Sequence, residues 1–180
     1  MLLGAPGSGK GTQAELLART LGVPAISTGE MLRLAVTEGT SLGERVKGTM
    51  AAGALVDDEL MAEVVRARLG SADALSGFLL DGYPRTKQQA FTLDELLEEQ
   101  GRRLSSVVLL EVPESVLVKR ALARRREDDV ESIVLERLRV FRDKTEPLVE
   151  HYGRRGLLRK VDGNREIGEV TAGILQALGK

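Results

Sequence analysis

The stretch that most constrains this chain is Gly4-Ala5-Pro6-Gly7-Ser8-Gly9-Lys10. It fits the pattern G-x-x-x-x-G-K. It lies between the apolar tripeptide Met1-Leu2-Leu3 and a helical pattern carried by Leu16, Leu17 and Leu21. Glycines at these places let successive backbone N–H groups converge on an anion without Cβ clashes. The helix that follows adds the positive end of its dipole. Lys10 adds a point charge suited to the β- and γ-phosphates of a nucleotide. A strand–turn–helix unit of this kind belongs to α/β folds and implies a nucleoside triphosphate site. Alone it does not separate kinases from GTPases or ATPases. One departure from the general pattern is that Gly11 follows Lys10, and the hydroxyl comes one place later, at Thr12.

The rest of the chain alternates strand and helix signals. Short apolar runs at 25–27, 77–81, 107–112 and 156–161 read as strands. The run at 107–112 is continuously apolar, as in a parallel strand covered on both faces. Helical patterns fall at 57–69, 86–100, 115–124, 130–152 and 166–178. Residues 29–53 look helical but contain Gly29, Gly39, Gly43, Gly48 and Gly53, which predicts two short helices with mobile joints. This order predicts a three-layer α/β fold of about five parallel strands with helices on both faces, in one domain of 180 residues.

Composition closes off other readings. With no cysteine and one histidine, neither disulfides nor a cysteine- or histidine-based metal site is expected. A net charge of −1 gives no global attraction to nucleic acid or an anionic membrane. No segment approaches the ~20 apolar residues of a membrane span, and no secretion signal is recognisable. A cytoplasmic monomer is the expectation.

Four further segments follow the loop in order. They are Ser27-Thr28-Gly29-Glu30-Met31-Leu32-Arg33, Gly53-Ala54-Leu55-Val56, Asp81-Gly82-Tyr83-Pro84-Arg85 with Gln89, and Arg126-Glu127-Asp128-Asp129 with Arg137. Each is weakly specific; the five together, in this order, are strongly so. The chain resembles the adenylate kinase family over its whole length, to Val161-Asp162-Gly163. The resemblance implies a three-layer P-loop fold with core segments 1–26, 57–121 and 131–180. It also implies a helical AMP-binding flap at 27–56 and a short lid at 122–130. It implies reversible transfer of a phosphoryl group from MgATP to AMP, giving two ADP, with ATP, AMP and ADP as the only partners.

It further implies residue roles. Gly7, Ser8, Gly9, Lys10, Gly11 and Thr12 would hold ATP phosphates, with Arg120, Arg124 and Arg165 on the ATP side. Thr28, Arg33, Gly53, Ala54, Leu55, Val56, Gly82, Tyr83, Pro84, Arg85 and Gln89 would form the AMP site, with Gln89 pairing with the adenine edge. Arg126 and Arg137 would clamp the transferred group, and Lys10, Arg85, Arg124, Arg126 and Arg137 would form the catalytic set. Arginine suits that task because its planar fork matches phosphate oxygens. Asp81 would support magnesium through water, or else cap the turn at Gly82-Tyr83. Asp128 and Asp129 read either as a helix cap or as partners for the lid arginines. No zinc is expected, since the segment is too short to form a metal-holding lid and the chain has no cysteine.

Departures from the family are mild. Asp57 stands where proline is usual, which should loosen that joint; Tyr83 replaces the commoner Phe; Ala123 and Arg125 stand where glycine is frequent. A UMP/CMP kinase is the nearest alternative, and Thr28 and Gln89 speak against it. A catalytically silent nucleotide switch is the other, and the intact lysine and arginines speak against that.

Overall fold

The computed structural model of the protein describes residues 1–124 and 129–180. Five strands form one parallel sheet: β1 (Leu2–Leu3), β2 (Ala25–Ser27), β3 (Leu79–Asp81), β4 (Val107–Glu111) and β5 (Leu158–Asp162), in the order β2-β3-β1-β4-β5. Leu2 faces Asp81 on one side and Val108 on the other, so β1 is central. Nine α-helices surround the sheet among the described residues: α1 (Lys10–Leu21), α2 (Thr28–Thr37), α3 (Ser41–Ala51), α4 (Asp58–Leu69), α5 (Lys87–Glu98), α6 (Glu114–Ala123), α7 (Glu131–Val140), α8 (Pro147–Arg154) and α9 (Ile167–Ala177).

Alternation along the strands divides the core into two faces. Leu3, Ile26, Leu80, Val107 and Leu109 pack with side chains of α4, α5 and α8. Leu2, Leu79, Val108, Leu110 and Val161 pack with α1 and α9. Successive residues of β4 therefore serve opposite layers, which explains its uninterrupted apolar run. Each fully buried leucine, such as Leu80 or Leu93, contributes about 1.5–3 kcal/mol. A smaller cluster of Ala5, Leu117, Ala121, Val134 and Leu138 ties the loop after β1 to α6 and α7.

Topology sets the site. β1 and β3 lie side by side, yet β1 leads through α1 to β2 while β3 leads through α5 to β4 on the other side of the sheet. Connections leaving in opposite directions open a crevice at the carboxyl ends of the two strands.

Two segments differ from the sequence expectation. The glycines of 29–53 do not all act as joints. The break between α2 and α3 lies at Gly39, whereas Gly43 sits inside α3 where a Cβ would stand 2.1 Å from the carbonyl oxygen of Ala35. Gly43 is therefore there for contact, letting two helix backbones touch. The 130–152 pattern is not one helix either. A wide π turn, Phe141–Thr145, closes with Glu146 N donating to Phe141 O at 2.8 Å, and Pro147 opens α8. Proline has no N–H for a continuing helix but suits a first helical position. Asp57 also departs from expectation: its carboxylate accepts from the N–H groups of Glu59 and Leu60 and caps α4, so the joint is fixed by a cap where proline is usual.

Candidate active site

The loop after β1 bends where its glycines permit. Gly7 has φ 86°, and a Cβ on it would meet the carbonyl oxygen of Leu117 at 2.4 Å, so only glycine fits against α6. Gly9 caps α1 without any side-chain hydrogen bond, and the first turn of α1 holds no acid. Its N–H groups and dipole are thus left to an anion. Lys10 Nζ donates to Gly4 O at 2.7 Å and Ala5 O at 3.0 Å, folding back over the loop. Burial pushes the Lys10 ammonium down to about 8, with Arg85, Arg124 and Arg137 pressing the same way and Asp81 opposing.

Around this loop lies a cleft of about 530 Å³. Gly7, Ser8, Gly9, Lys10, Gly11 and Thr12 line it, facing Arg33, Asp81, Arg85, Arg120, Arg124, Arg137 and Arg165. A smaller recess of about 50 Å³ adjoins it, lined by Thr28, Ala54, Val56 and Gln89, and shares Arg33, Gly53, Leu55, Gly82, Arg85 and Arg137 with the cleft. Pro84 lines the cleft as well. Among the described residues, the structure thus brings together nearly every one expected from the sequence. Tyr83 is the exception: its side chain is buried in the core, so it supports the turn from behind. Arg126, Arg125 and Asp128 lie outside the described residues, as does much of the expected lid at 122–130.

Several of the cleft side chains are held by neighbours. Arg85 Nε donates to Gly82 O, its N–H donates to Gln89 Oε1 at 2.7 Å, and its carbonyl accepts from Thr145 Oγ1 at 2.9 Å. Arg120 Nη1 donates to Gly163 O at 2.9 Å. Arg124 grips Asp129 with Nε at 3.0 Å and Nη2 at 2.5 Å, and Arg137 Nη1 lies 3.7 Å from the same carboxylate, whose side chain is buried. The cap of α7 is Val130, without a side-chain hydrogen bond, so Asp129 acts as the partner of arginines rather than as that cap. Arg165 Nε pairs with Asp162 at 2.9 Å on an exposed turn.

Three supporting residues were not foreseen from the sequence. Asp58 accepts from Gln89 Nε2 at 2.7 Å and from Thr86 Oγ1 at 3.0 Å. Thr145 reaches Arg85 from the π turn, and Gln13 joins α1 to α9 through Ile167 O and Thr171. Only the π turn had a signal, since Pro147 within an otherwise helical pattern marks a break.

Asp81 is the acid nearest the loop. It is 8 % exposed, accepts from Ser27 Oγ at 3.3 Å, and its Oδ2 would lie 3.8 Å from a Cβ on Gly11. No group of three or more acidic, histidine or cysteine side chains gathers among the described residues. A single buried carboxylate beside a phosphate loop does fit magnesium, which keeps most of its waters and takes its other oxygens from substrate phosphates.

A parallel sheet with a glycine-rich loop at its switch point, arginines converging from α2, β3–α5, α6 and α7, and a second recess beside the cleft are the build of a nucleoside-monophosphate kinase. The family model for adenylate kinase matches residues 2–157. The chain is 48% identical over 174 residues to adenylate kinase 1 of Synechocystis sp., covering 97% of this chain and 93% of that protein. It is 47% identical to the adenylate kinase of Rhizobium meliloti, covering 99% and 98%, and 47% identical to that of Nocardia farcinica, covering 100% and 98%. The chain belongs to the adenylate kinase family.

Proposed function

We propose that this chain transfers the γ-phosphoryl group of MgATP directly to AMP, yielding two ADP, within a site closed to water. An oxygen of the AMP phosphate attacks the γ-phosphorus. The bond from that phosphorus to the β–γ bridging oxygen breaks, and ADP leaves with the electron pair. The attacking AMP phosphate oxygen is already ionised at neutral pH, so no general base is required. Catalysis then consists of alignment and charge stabilisation. The observation that carries this reading is the convergence of Lys10, Arg85, Arg124 and Arg137 on one cleft with a recess beside it.

Lys10 would release the Gly4 and Ala5 carbonyls to reach the β- and γ-phosphates. Arg124 and Arg137 would exchange the Asp129 carboxylate for phosphate oxygens. Arg126 would join them as a clamp. Arg33 and Arg85 would hold the AMP phosphate, while Thr28, Val56 and Gln89 would enclose its adenine. Arg120 and Arg165 would serve the ATP side. Asp81 would hold magnesium through its waters, and the metal would neutralise phosphate charge when bound. Residues 27–56 would close as a flap and 122–130 as a lid.

No helix among the described residues is long and apolar enough to cross a membrane. With small metabolites as its only partners, the reading is of a cytoplasmic monomer with no nucleic-acid partner. The test is ADP formation from MgATP with AMP, CMP, UMP, GMP or water as acceptor. Rapid turnover with AMP is the expected result. Preference for CMP or UMP would move the substrate, and no transfer to any acceptor would overturn the proposal.

A further inference from the structure

The structure assigns Asp58 as a positioning residue that locks the Gln89 carboxamide in the orientation that accepts adenine and rejects 6-oxopurines. The inference rests on the reading of Gln89 as the adenine contact and deepens it.

A glutamine amide offers two N–H donors on one side and two lone pairs on the other. Left free, it can rotate by half a turn and pair with either adenine or hypoxanthine. At the N1/N6 edge adenine presents an acceptor and a donor; a 6-oxopurine presents a donor and an acceptor in the same places. Discrimination therefore needs a fixed amide.

Gln89 is 3 % exposed and is fixed from both ends. Its Nε2 donates to Asp58 Oδ1 at 2.7 Å, and its Oε1 accepts from the N–H of Arg85 at 2.7 Å. The backbone N–H can only donate, and a carboxylate only accepts. Rotating the amide would set carbonyl against carboxylate and NH2 against N–H, two repulsions in place of two hydrogen bonds. One N–H and one lone pair remain for the base, and their order is set.

Asp58 is itself held. Thr86 Oγ1 donates to its second oxygen at 3.0 Å and accepts from Gln89 N at 3.1 Å. Asp57 already caps α4, so its neighbour Asp58 is available to reach α5. The lock thus spans two helices and holds the backbone of Arg85, a residue that lines the cleft.

The first test needs no substitution. Steady-state kcat/KM is measured for AMP, inosine monophosphate and purine riboside monophosphate, with MgATP as donor. Purine riboside monophosphate keeps N1 and lacks the amino group, so it loses one hydrogen bond. Inosine monophosphate meets the locked amide with both groups mismatched. The expected order is AMP, then purine riboside monophosphate, then inosine monophosphate. Inosine monophosphate equal to or better than purine riboside monophosphate would overturn the lock, because a free amide would rotate to serve it.

The second test is Asp58→Asn, whose side chain can present NH2 to Gln89. The preference for AMP over inosine monophosphate should fall by about tenfold, the discrimination one charge-assisted hydrogen bond supports. KM for AMP should rise while KM for ATP holds. In a Gln89→Ala background the same exchange should leave the preference unmoved, since the amide it orients is gone. An unchanged preference in Asp58→Asn, or an equal change with and without Gln89, would overturn the assignment. Gln89→Ala with unaltered KM for AMP would instead remove the adenine role of Gln89 and the inference with it.

Discussion

Lys10 shows how one side chain's burial becomes a measurable pH effect. Burial strips water from its ammonium and pushes it down from 10.5 to about 8, with Asp81 opposing and three arginines pressing the same way. Bound phosphates would pull that value back up. The alkaline limb should therefore show in kcat/KM for ATP, which reports the free enzyme, as pH rises through about 8. The limb in kcat should lie at higher pH. A kcat/KM that stays flat through that pH would mean the free enzyme does not need the charge. Stability moves the other way. Between about 8 and 10.5 the unfolded chain binds more protons at Lys10, so its contribution to stability rises with pH in that window. Lys10→Met should lower turnover by orders of magnitude while thermal unfolding stays cooperative; near-normal turnover would remove Lys10 from the mechanism. That Lys10 and the arginines would share one cleft was legible in the sequence, because phosphate chemistry restricts which residue types can serve. Asp58 and Thr145 were not legible in these roles, and for Asp129 the sequence left cap and arginine partner open. An acid or a threonine acquires such a role only from what the fold sets beside it.

Elements were legible where a local rule governs them and obscure where contact does. All five strands were expected, since apolar runs bounded by glycine and proline need no tertiary information. The break within 130–152 is obscure in the sequence because apolar periodicity continues across the π turn, although Pro147, two residues beyond that turn, marks a helix start. Gly43 was misread as a joint, and its true role makes a prediction. In Gly43→Ala the new methyl group would overlap the Ala35 carbonyl, so α2 and α3 must separate. Overpacking of this kind costs about 1–3 kcal/mol. Since α2 carries Arg33 and begins at Thr28, the loss should appear as a raised KM for AMP with KM for ATP little altered. Equal changes in both constants would show that the helix pair is not a unit of the acceptor site.

At the scale of the molecule, a net charge of −1 conceals a strong separation of charge. Among the described residues, seven basic side chains line the cleft, Lys10, Arg33, Arg85, Arg120, Arg124, Arg137 and Arg165, against three acidic ones, Glu30, Asp81 and Glu166. The remainder of the surface is therefore acidic on balance. A concave, positive site in an acidic body focuses its field outward through the mouth and gathers nucleotides before contact. Such attraction acts across solvent, so salt screens it: the Debye length falls from about 30 Å at 0.01 M to about 8 Å at 0.15 M. Over that range kcat/KM should fall severalfold for both ATP and AMP at constant free magnesium. Turnover at saturation should move far less, because phosphates already seated against the arginines are shielded from bulk ions. Thermal stability should also move little, since exposed pairs such as Arg66–Glu99 and Arg154–Glu150 contribute little to folding. If kcat/KM proved indifferent to salt while kcat responded, the arginines would act only after binding. The charge separation would then serve transfer alone and not capture.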